Sequence, residues 1–155
     1  MEPTIKKREQ FQVVGLEYYG ENKHNEIGEM WGQFNQIAST IPNKMFPMEA
    51  AFGICYMLPN DKEGSFHYIA SLAVTSLDNI PNGMIGKTIP AGRYAVFTHY
   101  GKLDTLGDTY QKIYQEWLPA SGLKIKGDLD FEYYDDRFIQ GSDQSEFDIY
   151  VALQE

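Results

Sequence analysis

Residues 11–20 read Phe-Gln-Val-Val-Gly-Leu-Glu-Tyr-Tyr-Gly, and residues 93–101 read Arg-Tyr-Ala-Val-Phe-Thr-His-Tyr-Gly. Both are apolar, aromatic runs of strand-like composition that stop at a glycine. The two glycines, Gly20 and Gly101, lie 81 positions apart, and the segments C-terminal to them are alike. Ile27, Met30, Trp31, Phe34, Ile37 and Ala38 recur at intervals of three and four, the spacing of a helix with one buried stripe. Leu106, Tyr110, Ile113, Tyr114 and Trp117 recur in the same way. Asp104 is placed to cap that second helix, and Pro119 and Gly122 to end it. Two further strand-like runs come after each helix. In the first copy they are 51–57 and 66–75 around a turn at 59–64; in the second they are 129–135 and 147–153, joined through Gly141-Ser142-Asp143.

The chain therefore reads as one α+β domain over 1–155, built from two pseudo-symmetric strand-helix-strand-strand repeats, about 4–75 and about 88–153. One helix over three strands leaves an apolar face open. The halves are expected to bury those faces against each other about a pseudo-twofold, with an antiparallel sheet and a central ligand cleft. Residues 76–88, rich in Asn, Gly and Pro, read as the connector between them.

A chain of 155 residues with 43% hydrophobic and 23% charged residues has the size and composition of one globular domain. No uncharged stretch is long or apolar enough to span a bilayer, and no apolar segment follows Lys6-Lys7-Arg8 as a secretory signal would require. Cys55 is alone, which excludes an internal disulfide and fits a reducing compartment. A cytoplasmic protein without a membrane partner is expected. There are 13 Lys and Arg against 22 Asp and Glu, and residues 128–155 hold nine acids beside Arg137 alone. Nucleic-acid binders need a basic footprint, so direct nucleic-acid binding is not expected; an acidic field favours cationic or neutral partners.

Standard catalytic motifs are absent. His24, His67 and His99 lie far apart with no metal-ligand spacing, and the glycines form no phosphate-binding loop, so neither a metal site nor a cofactor is expected. Cys55, in the strand-like Gly53-Ile54-Cys55-Tyr56, reads as a small buried hydrophobe. The informative stretch is Leu129-Asp130-Phe131-Glu132-Tyr133-Tyr134. Strand alternation puts Leu129, Phe131 and Tyr133 on one face and Asp130, Glu132 and Tyr134 on the other. A carboxylate among aromatic rings suits a lipophilic cation, because rings supply dispersion and cation–π attraction of about 0.5–2 kcal/mol per good contact and the acid supplies the countercharge. Burial also favours the neutral acid, which would suit such a carboxyl to general-base work.

Taken together, Ile89-Pro90-Ala91-Gly92-Arg93-Tyr94-Ala95-Val96-Phe97-Thr98-His99-Tyr100-Gly101, the segment from Tyr110 through Trp117 to Gly122, Asp130-Phe131-Glu132-Tyr133-Tyr134 and Phe147-Asp148-Ile149-Tyr150-Val151 resemble the GyrI-like family, also called the AraC-type effector-binding domain. The resemblance is specific over 88–153 and rests on element order over 1–75. It implies a tandem strand-helix-strand-strand (SHS2) fold with a small-molecule cleft between the repeats, as in multidrug-sensing transcription regulators. It makes Glu132 the central cleft carboxylate and maps aromatic lining positions onto Tyr110 and Tyr150. Trp31, Phe34, Phe52 and Tyr68 are ligand-binding candidates by element position. The repeats use all 155 residues and leave no room for a helix-turn-helix, so a stand-alone binding protein for lipophilic, aromatic or cationic molecules is expected. The alternative implied by the resemblance is a hydrolase of cyclopropane-containing compounds, with Glu132 as general base and Tyr110 assisting. A further alternative is a gyrase-inhibitor-like protein whose acidic surface engages a protein partner, gyrase or a regulator.

Overall fold

The structure, a computed structural model, describes residues 2–155. Its strands are β1 (Thr4–Arg8), β2 (Phe11–Gly20), β3 (Ala51–Tyr56), β4 (Phe66–Val74), β5 (Ile85–Ile89), β6 (Gly92–Tyr100), β7 (Ile125–Tyr134) and β8 (Glu146–Leu153). Helix α1 (Glu26–Ile37) follows β2, and α2 (Leu106–Lys112) follows β6. The second helix continues through a π-turn (Ile113–Trp117) into α3 (Leu118–Ser121). Each repeat thus has the expected strand-helix-strand-strand order. The sequence pattern missed β1 and β5, two five-residue strands, one rich in charge and the other overlapping the end of the segment read as a connector.

All eight strands form one sheet in the order β1-β6-β8-β7-β3-β4-β2-β5, with antiparallel pairings throughout. The halves therefore join edge to edge, through β3 and β7, with Gly53 opposite Glu132 and Ile54 opposite Phe131. The faces nevertheless meet, because the sheet curls. Phe11 on β2 and Phe131 on β7 are three strands apart, which in a flat sheet would be about 14 Å. Their ring centroids lie 5.5 Å apart. The inner face of the curl is a shared core of Phe11, Val13, Phe52, Ile54, Tyr94, Phe131 and Tyr150. Each fully buried phenylalanine there contributes about 1.5–3 kcal/mol. At the mouth of the curl Arg8 from edge strand β1 lies over Phe11, Phe52, Phe131, Tyr133 and Tyr150, 4.6–5.8 Å from their centroids, and pairs with Glu49 at 2.7 Å. An arginine this well stacked closes an apolar opening without leaving its charge unpaired.

The outer face carries the helices. Met30 and Phe34 of α1 bury against Val14, Tyr68, Ala70 and Leu72. Ile113 and Leu118 of the second helix bury against Ala95, Phe97, Phe147 and Ile149. Two expected caps differ. Asp104 lies inside a 3₁₀ turn (Leu103–Thr105), and Thr105 occupies the N-cap of α2 without a side-chain cap bond. Pro119 does not end the helix but sits in the first turn of α3, because the N–H of Leu118 reaches back five residues to the Ile113 carbonyl and widens the turn ahead of the proline. Gly122, at φ 75°, does end it, in the left-handed conformation that glycine adopts without penalty.

The acidic tail also differs from a solvated surface. Glu132 and Asp148 are buried, and Asp130, Asp135 and Glu146 are half-buried. Arg137 ties Asp135 (2.9 Å) to Asp148 (2.8 Å), while Thr98 also donates to Asp148.

Candidate functional site

The two helices leave the centre of the outer face uncovered, and the seam of β3 and β7 forms the floor of a cleft of about 460 Å³ there. That volume lies in the range of small-molecule sites. The residues on its walls include Trp31 of α1, Phe66 and Tyr68 of β4, Leu106 and Tyr110 of α2, Cys55 of β3, and Asp130, Glu132 and Tyr134 of β7. No Lys, Arg or His is among the lining residues.

At the floor lies Glu132, a residue only 5% exposed. It accepts three tyrosine hydroxyls: Tyr68 to Oε1 at 2.6 Å, Tyr134 to Oε1 at 2.8 Å and Tyr110 to Oε2 at 2.6 Å. Trp31 Nε1 donates at 3.0 Å to the Tyr68 oxygen, so the indole supports the first of these from behind. Burial, reinforced by the negative charge of Glu132, pushes all three phenols well above their ordinary range and keeps them protonated as donors. Hydrogen bonds to an ionised group are about twice as strong as neutral ones, so the acid is held without a cation.

The space for this arrangement comes from Gly53, directly across the ladder from Glu132. A Cβ at that position would stand 2.0 Å from the Tyr68 oxygen and 2.8 Å from Glu132 Oε1. The backbone of Gly53 has no positive φ, so the requirement is for volume and not for conformation.

A second tyrosine–carboxylate pair repeats the first. Tyr114 donates to Asp130 Oδ2 at 2.5 Å, and the Tyr110 and Tyr114 rings are stacked with centroids 6.5 Å apart. Four residues along a helix rise about 6.0 Å and two along a strand about 6.6 Å, so the helix and β7 present matched hydroxyls and carboxyls in step. Asp130 Oδ1 is buried without a hydrogen-bond partner. Burial pushes the Asp130 carboxyl up to about 7; the Tyr114 bond opposes this and the Glu132 charge adds to it. The Cys55 thiol, opposite Asp130 on β3, is raised well above its usual range, first by burial and then by the two acids.

Of the seven residues proposed from the sequence, the structure brings Trp31, Tyr68, Tyr110 and Glu132 together on the cleft. It places the other three elsewhere. Phe52 precedes Gly53 on β3, so alternation turns it to the inner face, where it lies 5.0 Å from Phe11. Tyr150 pairs with Phe131 across β7 and β8 and stacks on it at 4.6 Å, sharing that residue's face. Phe34 is buried behind Trp31, edge-on at 5.7 Å. Residues not proposed as site members are Asp130, Tyr134, Phe66, Cys55 and the space-giving Gly53. The signal for the first two lay in strand alternation, which sets both on the face of Glu132. His67, bonded to Asp61 at 3.0 Å, and His99, bonded to Thr109 at 2.7 Å, serve the scaffold away from this cleft. Among the described residues no group of three or more His, Cys, Asp or Glu is placed to hold a metal ion, and no helix is long and apolar enough to cross a membrane.

Comparison with known proteins agrees with this architecture. The chain is 39% identical over 154 residues to the transcriptional regulator BrlR of Pseudomonas aeruginosa, a match covering 99% of this chain and 56% of that regulator. The chain thus spans about half the length of that relative. Among solved structures, SAV2435 bound to tetraphenylphosphonium superimposes with a TM-score of 0.79 at 17% identity, over 99% of this chain and 94% of that one. The C-terminal domain of EcmrR does so with a TM-score of 0.73 at 19% identity, over 99% and 98% of the two chains. At these identities the two structures attest the fold. The model of the GyrI-like small molecule binding domain matches residues 1–154, and the chain belongs to that family.

Proposed function

We propose that the cleft binds lipophilic organic cations, with Glu132 as the countercharge and Trp31, Tyr68, Tyr110 and Tyr134 as the surrounding rings. The observation that carries this reading is the buried Glu132 carboxylate, bonded to three tyrosine hydroxyls and facing an aromatic cleft whose lining has no basic side chain. Each tyrosine donates its only proton to the acid and leaves the carboxylate's charge uncompensated. A cation entering the cleft supplies the missing charge and meets ring faces as it does so. The tetraphenylphosphonium held by SAV2435, a protein of the same fold, supports the choice of cation class.

Calorimetric titration with tetraphenylphosphonium tests it, beside triphenylphosphine oxide, which has similar bulk and no net charge. For Glu132→Gln the cation's affinity is expected to fall at least about tenfold, in line with loss of a desolvated charge contact, while the oxide's changes little. Equal affinity of parent and variant for the cation would remove the countercharge role.

Hydrolysis is the second reading, favoured by the Tyr110–Glu132 pair at 2.6 Å on the cleft floor. Tyr68 and Tyr134 fill Oε1 of the glutamate and Tyr110 takes one site on Oε2, so a water to be activated would use the remaining site on Oε2. Incubation with cyclopropane-bearing aromatic compounds, read by mass spectrometry, distinguishes the two: a product one water heavier that disappears in Glu132→Gln establishes the hydrolase.

A further inference from the structure

Asp130 stands where two cavities meet. It lines the cleft described above and also a second one of about 360 Å³, bounded by Tyr56, Met57, Tyr114, Gly127, Leu129 and Val151. Cys55 is the other residue common to both walls. The groups facing Asp130 are all acidic or neutral. They are Glu132 on its own strand, the Cys55 thiol opposite it on β3, and the phenols of Tyr110 and Tyr114 on the helix. One carboxylate oxygen accepts a hydrogen bond from the Tyr114 hydroxyl, and the other is buried with no partner at all. An unpartnered buried carboxylate oxygen leaves the charge of Asp130 poorly compensated, and a cation seated beside the carboxyl offsets that cost.

We propose that Asp130 is a second anionic anchor, and that the preferred guests are aromatic dications whose two cationic centres are spaced to meet Glu132 and Asp130 together. This inference rests on the reading of the cleft as a cation site and narrows its ligand class. Three features carry it. The carboxylates sit two residues apart on one strand face, about 6.6 Å along the strand. Each is held by its own tyrosine from two successive turns of one helix, so their spacing is fixed by backbone geometry. Both acids line the same cleft, with the second cavity on the far side of Asp130 and Cys55, so a guest anchored at Glu132 can reach the second acid within one space. A monocation satisfies one acid and leaves the other facing it; a dication satisfies both.

The raised titration range of Asp130 adds a pH dependence. Above about 7 the group is charged and the second anchor is present; at pH 5.5 it is protonated and the anchor is lost. Glu132 acts on either kind of guest, so a matched monocation cancels its contribution.

The test is calorimetric titration of the full chain with para-xylylenediamine and with 4-methylbenzylamine, which share a ring and differ by one ammonium group. Parent and Asp130→Asn are titrated at pH 8.0, and the parent again at pH 5.5. The parent is expected to favour the diamine at least tenfold at pH 8.0, and this preference should disappear in Asp130→Asn and shrink to the same level in the parent at pH 5.5. A diamine no tighter than the monoamine in the parent at pH 8.0, or a preference that survives both the substitution and acid, overturns the proposal. The acid arm needs no variant, so a folding defect in Asp130→Asn would not shield the inference. If tetraphenylphosphonium binds and the diamine does not, the second anchor fails and the cation cleft stands. If neither binds, both fail.

Discussion

Replacing Gly53 by alanine tests the site and the sheet junction at once. Alanine in a strand is ordinarily favoured over glycine by about 0.5–1 kcal/mol, so the naive expectation is a gain. Here the new methyl would lie 2.0 Å from the Tyr68 oxygen, 2.6 Å from its Cζ and 2.8 Å from Glu132 Oε1. The ring of Tyr68 must swing away by more than an ångström, and its hydroxyl is held from two sides, donating to Glu132 at 2.6 Å and accepting from Trp31 at 3.0 Å. Overpacking of this kind costs about 1–3 kcal/mol. Losing a hydrogen bond to a charged buried group costs about 1.5–3 kcal/mol more. The sum is about 2.5–6 kcal/mol, or roughly 8–18 °C in Tm for a chain of this size. Urea unfolding followed by circular dichroism measures it. Tyr68→Phe removes the atom that clashes most, so the loss in Gly53→Ala with Tyr68→Phe should fall well short of the sum of the two single losses. A cost below about 1 kcal/mol for Gly53→Ala, or strict additivity in the double variant, would refute the idea that the glycine exists to make room for the Tyr68–Glu132 contact.

Two further outcomes are expected from the buried acids. The folded protein holds the Asp130 proton more tightly than the unfolded chain does, since its carboxyl is raised from 3.8 to about 7. Its contribution to stability is therefore most favourable at low pH and declines as pH rises from about 4 to 7. Glu26, Asp61 and Asp135 are lowered and act in the opposite direction, so the measurement is the difference between parent and Asp130→Asn in urea unfolding at pH 5 and pH 8. The variant is expected to gain relative to the parent at pH 8, and an equal difference at both pH values would contradict it. Cys55, whose thiol is raised by burial and both acids, should react with a disulfide reagent at pH 8 at least about tenfold more slowly than free cysteine, and more slowly again with a guest in the cleft.

The repeat, the α+β class and the six longer strands are legible in the sequence because they rest on local periodicity: a 3.6-residue apolar stripe on each helix and alternation on each strand. Local alternation also sets the faces of β7, and so it alone puts Asp130, Glu132 and Tyr134 on one side. β1 and β5 were not legible, since a short edge strand carries little of its own pattern and takes its place from the neighbours that pair with it. The aromatic candidates separated on the same ground. Trp31, Tyr68 and Tyr110 reach the cleft, whereas Phe52 and Tyr150 turn inward, because which face of a strand becomes cleft and which becomes core is decided by the curl of the whole sheet. Gly53 shows the limit most plainly. Within its strand it is one small residue among apolar ones, and only the pairing of β3 with β7 sets it opposite Glu132. By itself the sequence determined the repeats and the element types, since these depend on periods of two and 3.6 residues, while the acid at the centre came from the resemblance of its strand to the GyrI-like family. The tertiary structure alone decided which tyrosines bind that acid, because residues 22 and 64 positions away meet it only through strand pairing and helix packing across the curled sheet.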